Sequence, residues 1–298
     1  MSIEECYTLK EYKYKDGFFS KHINATYIIY LSGSSRMTNI MSQLEKYHPT
    51  DTVYVLINKP FKYCDKKIFK KSIAYDIIDA NIYIFNHAKQ NNYSNILVLE
   101  DDFVFSSEIT NKIHINNINS FINDHSDTDF VYQLGCAPIL SIPYNSYTFI
   151  TFSGGAHANI YSHKAYIRYI DEYNKNSMDS FTYISGLDSY IAFDNYKWIN
   201  LYMYYKPLCY QIYPLTDSRK EWNYSLATFG ISLLGIDKNP EPGTSILYFL
   251  SKLLFIIIII FVFIIIRFIL KSFNILKSYK SITKFIRVSL TSRSSHQS

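Results

Sequence analysis

Three carboxylates stand side by side in the stretch NILVLEDDFVFS, Asn95 to Ser106: Glu100, Asp101 and Asp102 end the apolar run Ile96 to Leu99, and Phe103 to Phe105 resume it. Adjacent carboxylates at the end of a buried strand repel one another, so something must compensate them. A hard divalent cation does so. Mg²⁺ or Mn²⁺ binds one or two carboxylates and completes its shell with water and phosphate oxygens. The chemistry implied is work on a phosphate-bearing ligand. The three side chains alternate around the strand end, so at least one points away, towards a ribose or a backbone amide. The plainer alternative is an acidic helix start, where carboxylates favour the positive end of the helix dipole. On the triplet alone the two readings are even.

Other residues of chemical interest lie on either side. Ser32-Gly33-Ser34-Ser35 follows the apolar run Thr26 to Leu31 and is the size of a phosphate loop, with Arg36 beside it. Arg36 suits a diphosphate, though a plain surface Arg is as common. His157 is a candidate for contact with a sugar or acceptor, against the commoner case of a buried His held by backbone. Cys6, Cys64, Cys136 and Cys209 are far apart with no Cys-x-x-Cys pair. That argues against a structural zinc site and leaves three pairings, or free thiols, open.

The elements that must position these groups alternate. Thr26–Leu31 reads as a strand, followed by a helix capped by Ser34 or Ser35 and running to about Tyr47. Thr52–Ile57 is a second strand, and Ile73, Ile77, Ile78, Ile82, Phe85 and Ala88 keep helical spacing from Ser72 to about Gln90. Asn95–Glu100 is the next strand. Helix-like sequence from Ser107 to Asn123 and a strand over Asp129–Gly135 follow. Ser162 caps a helix carrying Ala165, Tyr166, Tyr169 and Ile170. This order predicts an α/β fold with a mostly parallel sheet and helices on both faces. Such sheets bind ligands beyond the carboxyl ends of their strands, where the acidic triplet falls.

The chain has 298 residues, 48% of them hydrophobic, with a formal net charge of +5. From Arg267 onward there are Lys and Arg but no Asp or Glu, so the basic balance belongs to the tail and gives no case for nucleic acid. Tyr (29) and Phe (21) are abundant throughout, which weakens any inference from a single Tyr. Three Asn-x-Ser/Thr sequons, at Asn24, Asn92 and Asn223, are what a chain rich in Asn and Ser carries by chance.

The start, MSIEECYTLKEYKYK, has no apolar core and does not read as a signal peptide. Ile246–Ile266 is an apolar stretch with Lys252 as its one charge, near one end, and is long enough to cross a bilayer as a helix. Ser272–Leu290 reads as a basic amphipathic helix suited to an anionic membrane surface. Residues 1–240 are therefore expected as the catalytic-type domain, with Pro240-Glu241-Pro242-Gly243 as a linker. Residues 246–266 are the span and 267–298 the basic tail. Basic residues after the span place the tail in the cytoplasm. A long N-terminal body without a signal is hard to export, so a single-pass protein with a cytoplasmic body is preferred and a lumenal body is the alternative.

Five blocks in order, over Thr26 to Asp217, resemble glycosyltransferase family 25, the lipopolysaccharide-type and collagen galactosyltransferase-like enzymes of GT-A fold. They are YIIYLSGSSRMTNIMSQL, NNYSNILVLEDDFVFS, DFVYQLG, SGGAHANIYSHKAYIRYI and GLDSYIAF. The resemblance implies an inverting, Mn²⁺- or Mg²⁺-dependent glycosyltransferase that moves a sugar from a nucleotide-diphosphate donor, a UDP-sugar by preference, to a glycan, lipid-linked or protein hydroxyl. It implies Glu100 and Asp102 as metal ligands; at the place of the late His many GT-A enzymes use, either Asp217 substitutes or the position is empty. Ser32, Gly33, Arg36 and Asp101 would meet the donor. Asp188 would be the catalytic base, with Asp194 and Asp179 in reserve, and its other reading is a helix cap. One departure is Ala80-Asn81, which falls where the family often carries Ser-His, and it bears on sugar identity. Two other classes compete. The first is a catalytically inactive, membrane-tethered binding or structural protein of the same fold. The second is a nucleotidyltransferase, which would show a stronger Gly-rich loop. A calcium-binding protein is disfavoured, because one triplet does not supply six to eight oxygens.

Overall fold

The computed structural model describes residues 6–68, 71–175, 200–212 and 225–294. It divides into two compact units, Met1–Lys252 and Leu253–Ser298.

The first unit is built on a seven-stranded sheet of order β1-β3-β2-β4-β7-β6-β8. Its strands are β1 (Tyr7–Lys13), β2 (Ala25–Leu31), β3 (Thr52–Asn58), β4 (Asn95–Glu100), β6 (Phe130–Pro143), β7 (Thr148–Ser162) and β8 (Asn200–Tyr204). The pairings β3–β2, β2–β4 and β6–β8 are parallel, while β1 and β7 run against their neighbours, so five of the seven strands share one direction. The fold is α/β with a mostly parallel sheet. Period-two alternation along the strands feeds two cores. Tyr27, Ile29, Tyr54, Leu56, Ile96 and Val98 face α2 (Ile73–Gln90) and α4 (His163–Asn174). Ile28, Val53, Val55, Leu97 and Leu99 face α1 (Met37–Lys46) and α3 (Lys112–Asp124). Helices thus cover both faces, as the alternating pattern predicts.

Local chemistry sets several boundaries where the pattern places them. Ser72 caps α2 by accepting from the Tyr75 amide, and Ser162 caps α4 by accepting from that of Ala165. Two expectations differ. Neither Ser34 nor Ser35 caps α1. Arg36 holds that position with no side-chain cap bond of its own, and the Ser34 hydroxyl accepts from the Arg36 amide at 3.4 Å while lying 3.4 Å from Asp101. The stretch from Ser107 is also broken. A 3₁₀ turn, Ser107–Thr110, ends at Asn111, which caps α3 through the Ile113 amide.

Four features lie outside the sequence reading. β1 is a polar edge strand antiparallel to β3. A disulfide joins Cys6 to Cys64, Cα atoms 5.7 Å apart, while Cys136 and Cys209 are buried free thiols. The predicted Asp129–Gly135 strand extends to Pro143 and forms a long hairpin with β7, so SGGAHANIYS lies in a strand. Register shifts at Gly135, Ala137 and Leu140 accommodate Pro138 and the Gly pair. A second, two-stranded sheet pairs β5 (Phe103–Phe105) with β9 (Cys209–Gln211).

A short helix α5 (Ser225–Leu233) precedes α6 (Pro240–Ser294). Pro240–Gly243 is the first turn of α6, not a linker, since Pro is well tolerated there. Tyr248 is 2% exposed, its hydroxyl 3.3 Å from the Cys136 thiol, and the Ser251 hydroxyl is 2.7 Å from that of Ser141. The packed unit therefore continues to Lys252, whose ammonium donates to the Tyr205 carbonyl. Over Pro240–Phe273, α6 is the one helix among the described residues long and apolar enough to cross a membrane by length and composition.

Candidate functional site

The chain leaves β2 for β3 by way of α1 on one face and returns by way of α2 on the other, to place β4 on the far side of β2. The carboxyl ends of β2 and β4 therefore flank a topological switch point, where loops diverge and a crevice opens. The loop after β2 carries Ser32 to Arg36, and the turn after β4 carries Asp101 and Asp102.

Backbone chemistry brings the two loops together. Gly33 has φ +86°, which a side-chain-bearing residue rarely adopts, and nothing crowds it. The turn is closed by Ser34 N–H donating to the Leu31 carbonyl at 3.0 Å, and by the Tyr30 hydroxyl donating to the Ser34 carbonyl at 2.7 Å. Asp101 Oδ2 then accepts from the Leu31 amide at 3.2 Å and from Ser34 Oγ at 3.4 Å, while its Oδ1 accepts from the Arg36 guanidinium. Arg36 Nη1 also lies 3.5 Å from Asp102 Oδ2. From the other side Gln211, on β9, donates to Asp102 Oδ2 at 3.2 Å and reaches Glu100 Oε2 at 3.5 Å. The Ile212 amide holds the Asp102 carbonyl at 2.8 Å. Asn39 and Gln43 of α1 bond the β5 backbone at Phe103 and Phe105, fixing the helix that carries Arg36 against the acidic turn.

Asp101 and Asp102 are 5% and 7% exposed. Asp102 Oδ1 is buried with no hydrogen-bond partner. Burial pushes the Asp102 carboxyl up to about 7; Arg36 opposes this and Asp101 adds to it. Burial works against the Arg36 charge, but Asp101 and Asp102 outweigh it and the guanidinium holds its proton more tightly than usual.

β7 forms the other wall. Leu99 pairs with Ala158, so His157 stands level with Glu100 at the end of β4. It is 3% exposed, and burial lowers its pKa to about 4, so the ring is neutral near neutral pH. Neither ring nitrogen has a well-formed partner, although the Cys209 carbonyl lies on that side. A Cβ on Gly135 would fall 2.0 Å from that carbonyl and 2.6 Å from His157 Nε2, so only glycine fits there.

The structure thus unites Ser34, Arg36, Glu100, Asp101, Asp102 and Gln211, with His157 alongside. Ser32 and Gly33 shape the loop; the Ser32 amide bonds the Asn58 carbonyl. Asp179, Asp188, Asp194 and Asp217 lie outside the described residues. Asn81 bonds its own helix at the Ile77 carbonyl. Sequence reasoning missed Gln211, for which there is no local signal, because only the β5–β9 pairing brings it to the acids. Among the described residues no three His, Cys, Asp or Glu side chains converge on a common cation position. What they offer a cation is one orphaned carboxylate oxygen, Asp102 Oδ1, where two carboxylates share one guanidinium. That fits an ion of the kind that takes one or two carboxylates and draws its remaining ligands from water and phosphate.

No protein-family model and no curated protein matches the chain. Among solved structures, a glycosyltransferase involved in glycosylation of the major capsid of PBCV-1 is similar at 11% identity and TM-score 0.42, over 66% of this chain and 98% of that one. The A197 protein from STIV matches at 14% identity and TM-score 0.38, over 64% and 86%. The CTP:phosphocholine cytidylyltransferase of Streptococcus pneumoniae matches at 16% identity and TM-score 0.33, over 68% and 80%. All three TM-scores lie below 0.5, so the likeness is loose and assigns no activity to this chain.

Proposed function

We propose that the chain is a glycosyltransferase of GT-A type that moves a sugar from a nucleotide-diphosphate donor to a hydroxyl acceptor, with a divalent cation and with inversion. The observation that carries this reading is the buried cluster at the switch point in which Asp101 and Asp102 share the one Arg36 guanidinium, with one Asp102 oxygen unpartnered. Asp102 would hold Mn²⁺ or Mg²⁺, with Glu100 and Asp217 as further candidates. When bound, the ion would stabilise charge developing on the departing diphosphate. The chain's own residues do the rest. The loop Ser32 to Arg36 and the start of α1 present a guanidinium and helix amides to the diphosphate. Asp101 fixes that loop to the acidic turn. Gln211 orients Asp102. The neutral His157 offers a hydrogen bond to sugar or acceptor without adding charge. Asp188 is proposed as the base that takes the acceptor proton, as inversion requires.

The test is hydrolysis and transfer with a panel of sugar nucleotides, using full-length protein in detergent, with and without Mn²⁺. Cation-dependent release of nucleoside diphosphate from at least one donor is expected. Binding of no donor under any condition would sink the reading. A second reading, an inactive tethered protein of the same fold, is favoured by one observation: Arg36 already compensates Asp101. It predicts that neither UDP nor Mn²⁺ binds.

A further inference from the structure

The site contains its own cation. Asp101 is bound closely by Arg36, and Asp102 is approached at 3.5 Å by the same Nη1. Two carboxylates share one guanidinium, which leaves at most a single negative charge. A divalent ion entering while Arg36 stays would face a guanidinium at short range, in a place where Asp101 and Asp102 side chains are only 7% and 9% exposed. The ion alone must therefore compete with Arg36.

The two acids differ in what they keep if Arg36 leaves. Asp101 retains the Leu31 amide and the Ser34 hydroxyl. Asp102 retains Gln211 on Oδ2 and the nearness of its own backbone amide, while its Oδ1 has no well-formed partner. Asp102 is thus the ligand released. Arg36 is also the member of the cluster that solvent reaches first, at 21% exposure, and it sits at the uncapped start of the ten-residue helix α1. An anion arriving there meets both the guanidinium and the first turn of α1, whose amides have no intrahelical partner. A diphosphate offers Arg36 a bidentate partner to replace the carboxylates.

We propose that Arg36 is the built-in counter-cation of this site, and that it yields Asp102 to a divalent ion only when the diphosphate of a nucleotide draws the guanidinium away. This rests on the sugar-nucleotide reading of the site and adds to it an order of assembly. Ion and nucleotide bind together, each raising the other's affinity by the same factor.

The test is Mn²⁺ binding to the full-length protein in detergent, read by electron paramagnetic resonance of the free ion, without nucleotide and with UDP. Wild-type protein is expected to hold Mn²⁺ weakly alone and about tenfold or more tighter with UDP, a coupling of ordinary size. Arg36→Gln should bind Mn²⁺ alone about tenfold tighter than wild type, and UDP without metal more weakly. Arg36→Lys, which keeps the charge, should stay near wild type. The proposal is overturned if Arg36→Gln binds Mn²⁺ alone no better than wild type. It is overturned as well if wild type binds Mn²⁺ equally with and without UDP, a comparison that does not depend on any variant folding. If UDP binds but Mn²⁺ binds to neither protein in any condition, the metal dependence of the proposed function falls and the exchange with it. If UDP does not bind at all, the donor site itself is refuted.

Discussion

Two buried ion clusters stand at the same edge of the sheet, and they are put together differently. At the end of β3, the Lys66 ammonium contacts both Asp76 and the Asn58 amide oxygen, and it sits 4.4 Å from the Tyr7 ring centre. Asp76 accepts in addition from the Phe61 amide at 3.2 Å. Burial disfavours both charges, lowering the Lys66 pKa and raising that of Asp76, and each is the other's main compensation. One cation is bonded to one anion, Asp79 adds a second negative charge that acts on both without bonding either, and the bonded polar atoms are used. At the ends of β2 and β4, one guanidinium serves two carboxylates and an oxygen is left over. The first cluster is complete without a ligand. The second is short of positive charge and of one partner. A balanced pair holds a loop in place, whereas an unbalanced one is poised for something that arrives.

The comparison can be broken at either end. The largest effect is expected at the balanced pair. Lys66→Met strands a buried carboxylate and should cost roughly 3–5 kcal/mol, read by denaturant unfolding, while leaving Mn²⁺ and UDP binding by the remaining folded protein unchanged. The double change Lys66→Met with Asp76→Leu should recover most of that loss, because no charge is then left unpaired. A loss of UDP binding as large as that seen on changing Arg36 would erase the distinction between the clusters.

The next effect concerns the wall of the unbalanced site. His157 has its folded pKa lowered to about 4, below its ordinary 6.5. The unfolded chain therefore binds the extra proton first as pH falls. Stability contributed by the neutral ring is fully present above about pH 6.5 and declines towards pH 4, by about 3 kcal/mol across the window. The measurement is unfolding free energy against pH for wild type and His157→Gln; the variant should lose that part of the slope. An unchanged slope would mean the ring is not held neutral.

Gly135→Ala should be smaller, costing about 1–3 kcal/mol, because its Cβ meets backbone at the Cys209 carbonyl, which cannot swing aside. Since Gly135 spaces β6 from β9 and His157, UDP binding should weaken alongside melting temperature.

The smallest stability effect is expected at Asp102. Asp102→Asn keeps the shape and removes one of two adjacent like charges, so stability should change by less than about 1 kcal/mol, towards a gain. Mn²⁺-dependent turnover should nevertheless be lost. Near-normal turnover and metal affinity in this variant would make the acidic turn a mere structural element, like the cluster at Lys66.

The sequence by itself determined the parts whose causes are local. Apolar runs of strand length mark β2, β3 and β4. Helical spacing marks α2, Ser72 and Ser162 act as caps through their own neighbouring amides, and the adjacency of Glu100, Asp101 and Asp102 is covalent. Each depends on interactions within a few residues, which periodicity and side-chain type record directly. The tertiary structure decided whatever rests on pairing at a distance. β1 became a strand only by lying against β3. Pro138, Pro143 and the Gly154-Gly155 pair hid the long β6–β7 hairpin, because its bulges suspend the strand period. Cys6 chose Cys64, one of three possible pairings, because β1 brings it there. The first turns of α6 joined the body because Tyr248 and Ser251 find partners on β6, which no composition rule records. Arg36 and Gln211 reach the acidic turn from 65 residues before it and 109 after it, through the β2–β4 and β5–β9 pairings. The acids could be read from the chain, but the shortage of charge around them could not, since it depends on what the fold brings within reach and what it leaves out.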